Sequence, residues 1–221
     1  PEHNRLSGVL LIAVNGEVVL HKAYGMANYE LGVPNHLETK FNVASITKAF
    51  TKAAVIQCLI DKKLQLRTSI ATWIPNFPHS DEITVEHLLR FRAGLPHRVT
   101  DSAQEARPQS AESLTKIAGQ YVAEHGLVCE PGQESHYSSA TYAVLARVLE
   151  IVENKSIDRV LQERLFTPAG MEHTQDIVTN DALVLNRASG YVHGSNSLLN
   201  AQLKDLSFLV GGGSVKNTAE G

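Results

Sequence analysis

Phe41-Asn42-Val43-Ala44-Ser45-Ile46-Thr47-Lys48-Ala49-Phe50-Thr51-Lys52 is the stretch that decides how this chain reads. An apolar extended run ends at Ser45, a helical pattern begins there, and Lys48 follows three residues on. On a helix that spacing sets both side chains on one face, with the hydroxyl at the N-terminal end. A serine is a weak nucleophile until a base takes its proton, and an amine one turn away can do so. Backbone N–H groups at the helix start also favour developing negative charge. The pattern reads as an acyl-transfer nucleophile.

Ser-x-x-Lys is short, and the chain carries its own control: Ser113-Leu-Thr-Lys116 matches as well. That copy sits inside a polar helical stretch with no strand before it and is read as a chance match. The strand-to-helix setting separates Ser45 and Lys48 from it.

Working outward, Gly8–Val14, Asn15-Gly16 and Glu17–Leu20 form a hairpin signal, since Asn-Gly suits a tight two-residue turn. Residues 25–40 hold Gly25, Gly32, Pro34 and Asn35 and read as loop. From Ile46 to about Asp61 apolar residues recur at helical spacing. Thr84 is a candidate N-cap for a helix over Val85–Arg92, stopped by Gly94 and Pro96. Residues 98–112 are polar and irregular, a candidate surface loop over the site. Further helices are expected from Ser113 to about His125, from Tyr137 onward with Leu145, Val148, Leu149 and Val152 on the buried face, and from Ile157 to Phe166. The region after Asp176 is loop-rich and closes on Gly211-Gly-Gly213-Ser214. A two-stranded hairpin is not a stable sheet alone, so its further strands must come from elsewhere.

The 221 residues are 43% hydrophobic and 19% charged, with formal net charge −3, an ordinary globular composition. Without a basic excess, nucleic acid and anionic membrane are poor partners. The longest clean apolar run, Gly8–Val14, is too short to span a bilayer. No positive cluster precedes it and a turn follows, so it is not read as a signal-peptide core. Two cysteines, Cys58 and Cys129, make no disulfide framework, and Cys58 reads as a buried small hydrophobe. They leave the compartment open between cytoplasm, periplasm and exterior. No His-Glu-x-x-His or comparable ligand pattern occurs among the ten histidines.

Tyr137, at a helix mouth after a Pro-Gly turn, is the next chemical candidate. A phenol beside a lysine can shuttle a proton to a leaving group when positive charge lowers its pKa. A tyrosine half-buried at a helix start is the plainer reading, and it suits Tyr142 better. Five ordered segments then carry a resemblance: Phe41–Lys48, His87-Leu-Leu-Arg-Phe-Arg-Ala-Gly-Leu-Pro96, Glu130-Pro-Gly-Gln-Glu-Ser-His-Tyr-Ser-Ser139, Thr167-Pro-Ala-Gly-Met171 and Gly211-Gly-Gly-Ser-Val-Lys-Asn-Thr218. Together they resemble the landmarks of the class C β-lactamase-like serine hydrolases. That family takes in class C β-lactamases, D-alanyl-D-alanine carboxypeptidases, D-aminopeptidases and β-lactamase-like esterases.

The resemblance implies an α+β fold of the serine β-lactamase and penicillin-binding-protein kind: an antiparallel sheet flanked by helices, plus a mostly helical lobe. It implies one domain over 1–221, incomplete at both ends. Residues 8–62 would give the hairpin and nucleophile helix, 63–175 the helical lobe, and 176–221 a loop-rich return. The C-terminal strands are expected in a further segment or a second chain that completes the sheet. Ser45 would be the nucleophile, Lys48 its general base or proton relay, and Tyr137 the motif tyrosine, with the Ser45 N–H as half the oxyanion hole. Ser139, His136, Gly212 and Gly213 would bind substrate or support the site. The implied substrate is a small ester, amide or lactam, with no metal or organic cofactor.

Ser139 stands where the family usually has Asn, and it lacks the amide's paired donor and acceptor. This favours an ester or amide, of esterase or D-amino-acid peptidase type, over β-lactam hydrolysis. Two other readings are a catalytically impaired relative kept as a binding or scaffold protein, and an ordinary helical binding domain.

Overall fold

Asn15 and Gly16 both adopt left-handed backbone, φ 52° and 84°, which is what a two-residue hairpin turn needs to match the twist of its strands. In the computed structural model they join β1 (Gly8–Val14) to β2 (Glu17–Tyr24), antiparallel with a bulge at Ile12/Ala13. The structure describes residues 6–97, 99, 110–179, 182–195, 197–202 and 206–221. Most of the loop expected at 98–112 lies outside them.

Residues 25–40 are not all loop. β3 (Met26–Asn28) pairs with β4 (Val33–Pro34), the turn being closed by Asn28 Oδ1 accepting from Leu31 N at 2.7 Å. The Gly and Pro signals there mark a short second hairpin. β5 (Phe41–Asn42) lies at one side of β9 (Val215–Asn217), with β6 (Gln175–Asp176) at the other, all antiparallel. A separate pair, β7 (Tyr191–His193) and β8 (Leu198–Asn200), falls in the stretch expected to be loop-rich.

After β5 a 3₁₀ turn (Ala44–Ile46) leads into α1 (Thr47–Ile60). The periodic pattern placed this helix correctly, but Ser45 itself sits in the tighter turn before it. α2 (Val85–Leu89) has Thr84 as N-cap, its hydroxyl accepting from His87 N while His87 Nδ1 reaches back to Thr84 N. It ends three residues earlier than Arg92. Phe91 turns left-handed (φ 57°), and the freed backbone is used elsewhere: Gly132 N bonds Arg92 O, and His136 N bonds Phe91 O. This anchors the loop that leads to Tyr137.

α3 (Ala111–His125) is capped by Ser110 and α4 (Ser139–Glu153) by Ser138. α4 ends at Asn154 in the left-handed region. α5 (Ile157–Leu161) runs into a five-residue π-helical turn, Gln162–Phe166. α1, α4 and α5 share one core in which Val55, Cys58, Leu145, Leu149, Leu161 and Phe166 are fully buried. Each such side chain contributes about 1.5–3 kcal/mol on burial. Ser113-Leu-Thr-Lys116 lies on α3, where Ser113 bonds Ser110 and Lys116 pairs with Glu112. The two do not act on each other, as the chance reading expected. No helix among the described residues is long and apolar enough to cross a membrane.

Candidate active site

Ser45 reaches its position through a forced turn. The chain leaves β5 and must reverse into α1 within three residues, and Ala44 takes φ 46°, a region that costs any residue with a Cβ. Asn42 Oδ1 accepts from Ala44 N at 2.8 Å and braces this turn. The Ser45 side chain is exposed, and its Oγ is 2.7 Å from Tyr137 Oη and 3.2 Å from Lys48 Nζ.

Lys48 is the second residue of α1 and only 6% exposed. Its Nζ donates to Gly212 O at 2.7 Å as well as to Ser45 Oγ, so the amine has a fixed direction. The nitrogen also lies 5.1 Å from the Tyr137 ring centre and 5.7 Å from that of Tyr142, within cation–π range.

The stretch 211–217 holds the start of α1 in four further places. Val43 N donates to Val215 O, Val215 N to Thr47 Oγ1, Thr51 Oγ1 to Gly211 O, and Asn42 Nδ2 to Gly213 O. Gly211 needs its glycine, since φ is 70° and a Cβ would come within 2.7 Å of Tyr142 O. Gly212 and Gly213 thus contribute backbone carbonyls, one to Lys48 and one to Asn42.

Tyr137 is set by the residue after it. Ser138 Oγ donates to Pro96 O at 2.7 Å and accepts from Thr141 N at 3.1 Å, locking the helix start to the 91–97 segment. The Phe91 ring packs 5.0 Å from Tyr137, and His97 lies 5.3 Å from it on the exposed side. Partial burial works to raise the Tyr137 pKa, but the Ser45 hydroxyl and the nearby Lys48 amine outweigh it and hold the phenol below its usual value of 10. Burial moves Tyr142 the opposite way, upward.

Of the other expected residues, His136 is half-buried and is tied down through its backbone to Phe91 O. Ser139 opens α4 as its first helical residue, and among the described residues no hydrogen bond joins it to Ser45, Lys48 or Tyr137. Sequence reading missed Asn42, Phe91, Thr47 and Thr51. Asn42 had a usable signal, because Asn two residues before a sharp strand-to-helix turn is a common brace. The threonines had none, since their partners lie more than 150 residues away.

This geometry was compared with known proteins. A family profile described as Beta-lactamase matches residues 1–220. The Bacillus subtilis (strain 168) protein PbpX is 28% identical over 213 residues, covering 96% of this chain. The chain spans about half of that relative's length, 52%. A penicillin-binding protein from Bacillus halodurans superposes with TM-score 0.82 at 24% identity, over 97% of this chain and 68% of its own. The D-amino acid amidase from Ochrobactrum anthropi SV3, complexed with D-phenylalanine, gives TM-score 0.80 at 23% identity, over 95% and 62%. At such identities the two structures establish the shared fold.

Proposed function

The chain belongs to the beta-lactamase family, and from that premise we propose that it is a serine hydrolase working through an acyl-enzyme on Ser45. Its substrate is a small ester or amide, of esterase or D-amino-acid peptidase type. The observation that carries the reading is the double contact of Ser45 Oγ, 2.7 Å from Tyr137 Oη and 3.2 Å from Lys48 Nζ. A structural serine has no use for two titratable partners on an exposed hydroxyl. The D-amino acid amidase named above shares this fold, which supports the amide side of the substrate class.

In this reading the Ser45 proton leaves along one of those contacts, to Lys48 Nζ directly or through Tyr137 Oη, as Oγ attacks the carbonyl carbon. The C=O pair becomes an oxyanion facing the Ser45 N–H at the start of the 3₁₀ turn. Collapse breaks the bond to the alcohol or amine, which takes its proton from Tyr137, the group nearer solvent, and where Lys48 holds the Ser45 proton it passes that proton to the Tyr137 oxygen, restoring both groups. Water then repeats the sequence on the acyl-enzyme and Ser45 recovers its proton. Tyr137 suits this task because its lowered pKa makes it a better proton donor at neutral pH than an ordinary phenol. Gly212 O keeps Lys48 aimed at Ser45 between steps.

The test is intact-mass spectrometry with a fluorophosphonate probe and peptide mapping. One adduct on Ser45, lost in Ser45→Ala and Lys48→Ala, is expected. Turnover of p-nitrophenyl esters against D-amino acid amides then separates the two substrate types. A folded protein that takes no adduct at Ser45 would refute the reading.

A further inference from the structure

Ala44 is the only residue of the strand-to-nucleophile connection, Val43–Ile46, with positive φ, at 46°, and it directly precedes Ser45. An alanine in the left-handed region is held there by its surroundings, and such residues gather where a site needs an unusual backbone direction. Backbone bonds from Ile46 N to Val43 O and from Thr47 N to Ala44 O close the turn, and one side-chain amide braces the Ala44 N–H itself. Asn42 Oδ1 accepts from Ala44 N at 2.8 Å, and Asn42 Nδ2 donates to Gly213 O at 3.2 Å. Gly213 is the neighbour of Gly212, whose carbonyl fixes Lys48 Nζ at 2.7 Å.

The two ends of the Asn42 amide therefore act on opposite sides of the reaction centre. One end fixes the turn that presents Ser45; the other grips the glycine turn, 211–213, that aims Lys48. The Asn42 side chain lies outside the core and is exposed. Its backbone already pairs with Lys216 in the sheet, independently of its amide. The amide thus does work that the sheet does not require.

We propose that Asn42 is a positioning residue that sets Ser45 by stabilising the left-handed turn at Ala44 and couples it to the 211–213 turn that holds Lys48. The inference rests on the serine hydrolase reading above. It predicts a specific rescue. Asn42→Ala removes the brace, so Ala44 relaxes and Ser45 Oγ moves off line. Glycine adopts positive φ at no steric cost. Ala44→Gly added to Asn42→Ala therefore restores the turn without restoring the amide.

The experiment measures the rate of Ser45 acylation by a fluorophosphonate probe in wild type, Asn42→Ala and the Asn42→Ala/Ala44→Gly double variant, with circular dichroism melts alongside. Asn42→Ala is expected to acylate on the order of tenfold more slowly, the scale at which sub-ångström misplacement acts, with little change in melting. The double variant is expected to recover most of the lost rate. General loss of stability would not be reversed by a second substitution that adds backbone freedom. If Asn42→Ala does not fold, Asn42→Ser serves instead: its hydroxyl still accepts from Ala44 N but cannot span to Gly213 O, and its rate should fall below wild type. A wild-type rate in Asn42→Ala, or a slow rate that Ala44→Gly leaves unchanged, would overturn the proposal while the hydrolase reading stands. Folded wild type without any adduct would overturn both.

Discussion

Replacing Glu153 by glutamine should cost about 2 kcal/mol at neutral pH, and the cost should vanish in acid. Glu153 is the last residue of α4. Its Oε1 accepts from Arg164 Nη2 at 2.8 Å and from Lys63 Nζ at 2.9 Å, tying α4 to the π-helical turn and to the residues just after α1. Its side chain is 9% exposed and that of Arg164 15%. Burial works to raise its pKa, but the two cations overcome this and bring it from 4.5 to about 2. A displacement of that size corresponds to about 3 kcal/mol between charged and protonated forms. Lys63 is 45% exposed, so its share is screened by solvent and the expected cost drops to about 2 kcal/mol. For a chain of this size that is about 4–8 °C in Tm.

The sign follows from linkage. The folded-state pKa is depressed, so the contribution is fully present above 4.5 and drains away as pH falls from there toward about 2. Urea unfolding of wild type and Glu153→Gln at a series of pH values checks this. The midpoints should differ clearly at pH 7, draw together below pH 4.5 and converge only below about pH 2. Equal midpoints at pH 7, or a gap that persists undiminished in acid, would refute the reasoning.

Four shorter predictions follow from the site and its frame. Tyr137→Phe should slow acylation of Ser45 by an ester or amide by about 10²–10⁴-fold; because the phenol's pKa lies below 10 and it is the protonated phenol that serves the leaving group, the wild-type pH–rate profile should fall with rising pH over a limb centred below 10 that the variant lacks. Gly212→Ala would put a Cβ 3.2 Å from Lys48 Nζ and 3.5 Å from Tyr142 Cβ, so Lys48 must give way; probe labelling should fall by about tenfold while the melting temperature changes little. Gly94→Ala meets Cys129 O at 2.0 Å with φ 70°; a loss of roughly 3 kcal/mol or more in urea unfolding is expected. Burial pushes the Cys58 thiol up to about 11, while Cys129 is half-buried. Iodoacetamide on the native protein should therefore modify Cys129 alone by mass mapping, and equal modification of Cys58 would contradict the packing around α1.

Local signals carried far in this chain. Asn15-Gly16 fixed the first hairpin because its φ values are a property of those two residues and the strands they join. Thr84 and the 3.6-residue pattern placed two helices for the same reason. The helix at Val85 was expected to run to Arg92 and stops at Leu89, because Phe91 turns left-handed and its N–H and that of Arg92 leave the i−4 pattern for Leu88 O and His87 O. The turn points the Phe91 and Arg92 carbonyls at His136 N and Gly132 N, some forty residues on, and nothing near Arg92 in sequence announces those partners. Residues 25–40 show the reverse error: Gly and Pro punctuate a short hairpin as readily as a loop.

The sequence by itself determined that Ser45 and Lys48 share one face of a helix start, because three residues of helix leave no other arrangement. It also put Tyr137 at the mouth of another helix. The meeting of that tyrosine with Ser45 across 92 positions, at 2.7 Å, was decided by tertiary structure. So was the grip of Gly212 on Lys48 across 164 positions. Helix and turn preferences are short-range energies summed along a few residues. The direction of an exposed hydroxyl depends on which distant carbonyls and rings the core brings against it, and that is settled only when α1, α4 and the 211–217 segment pack together.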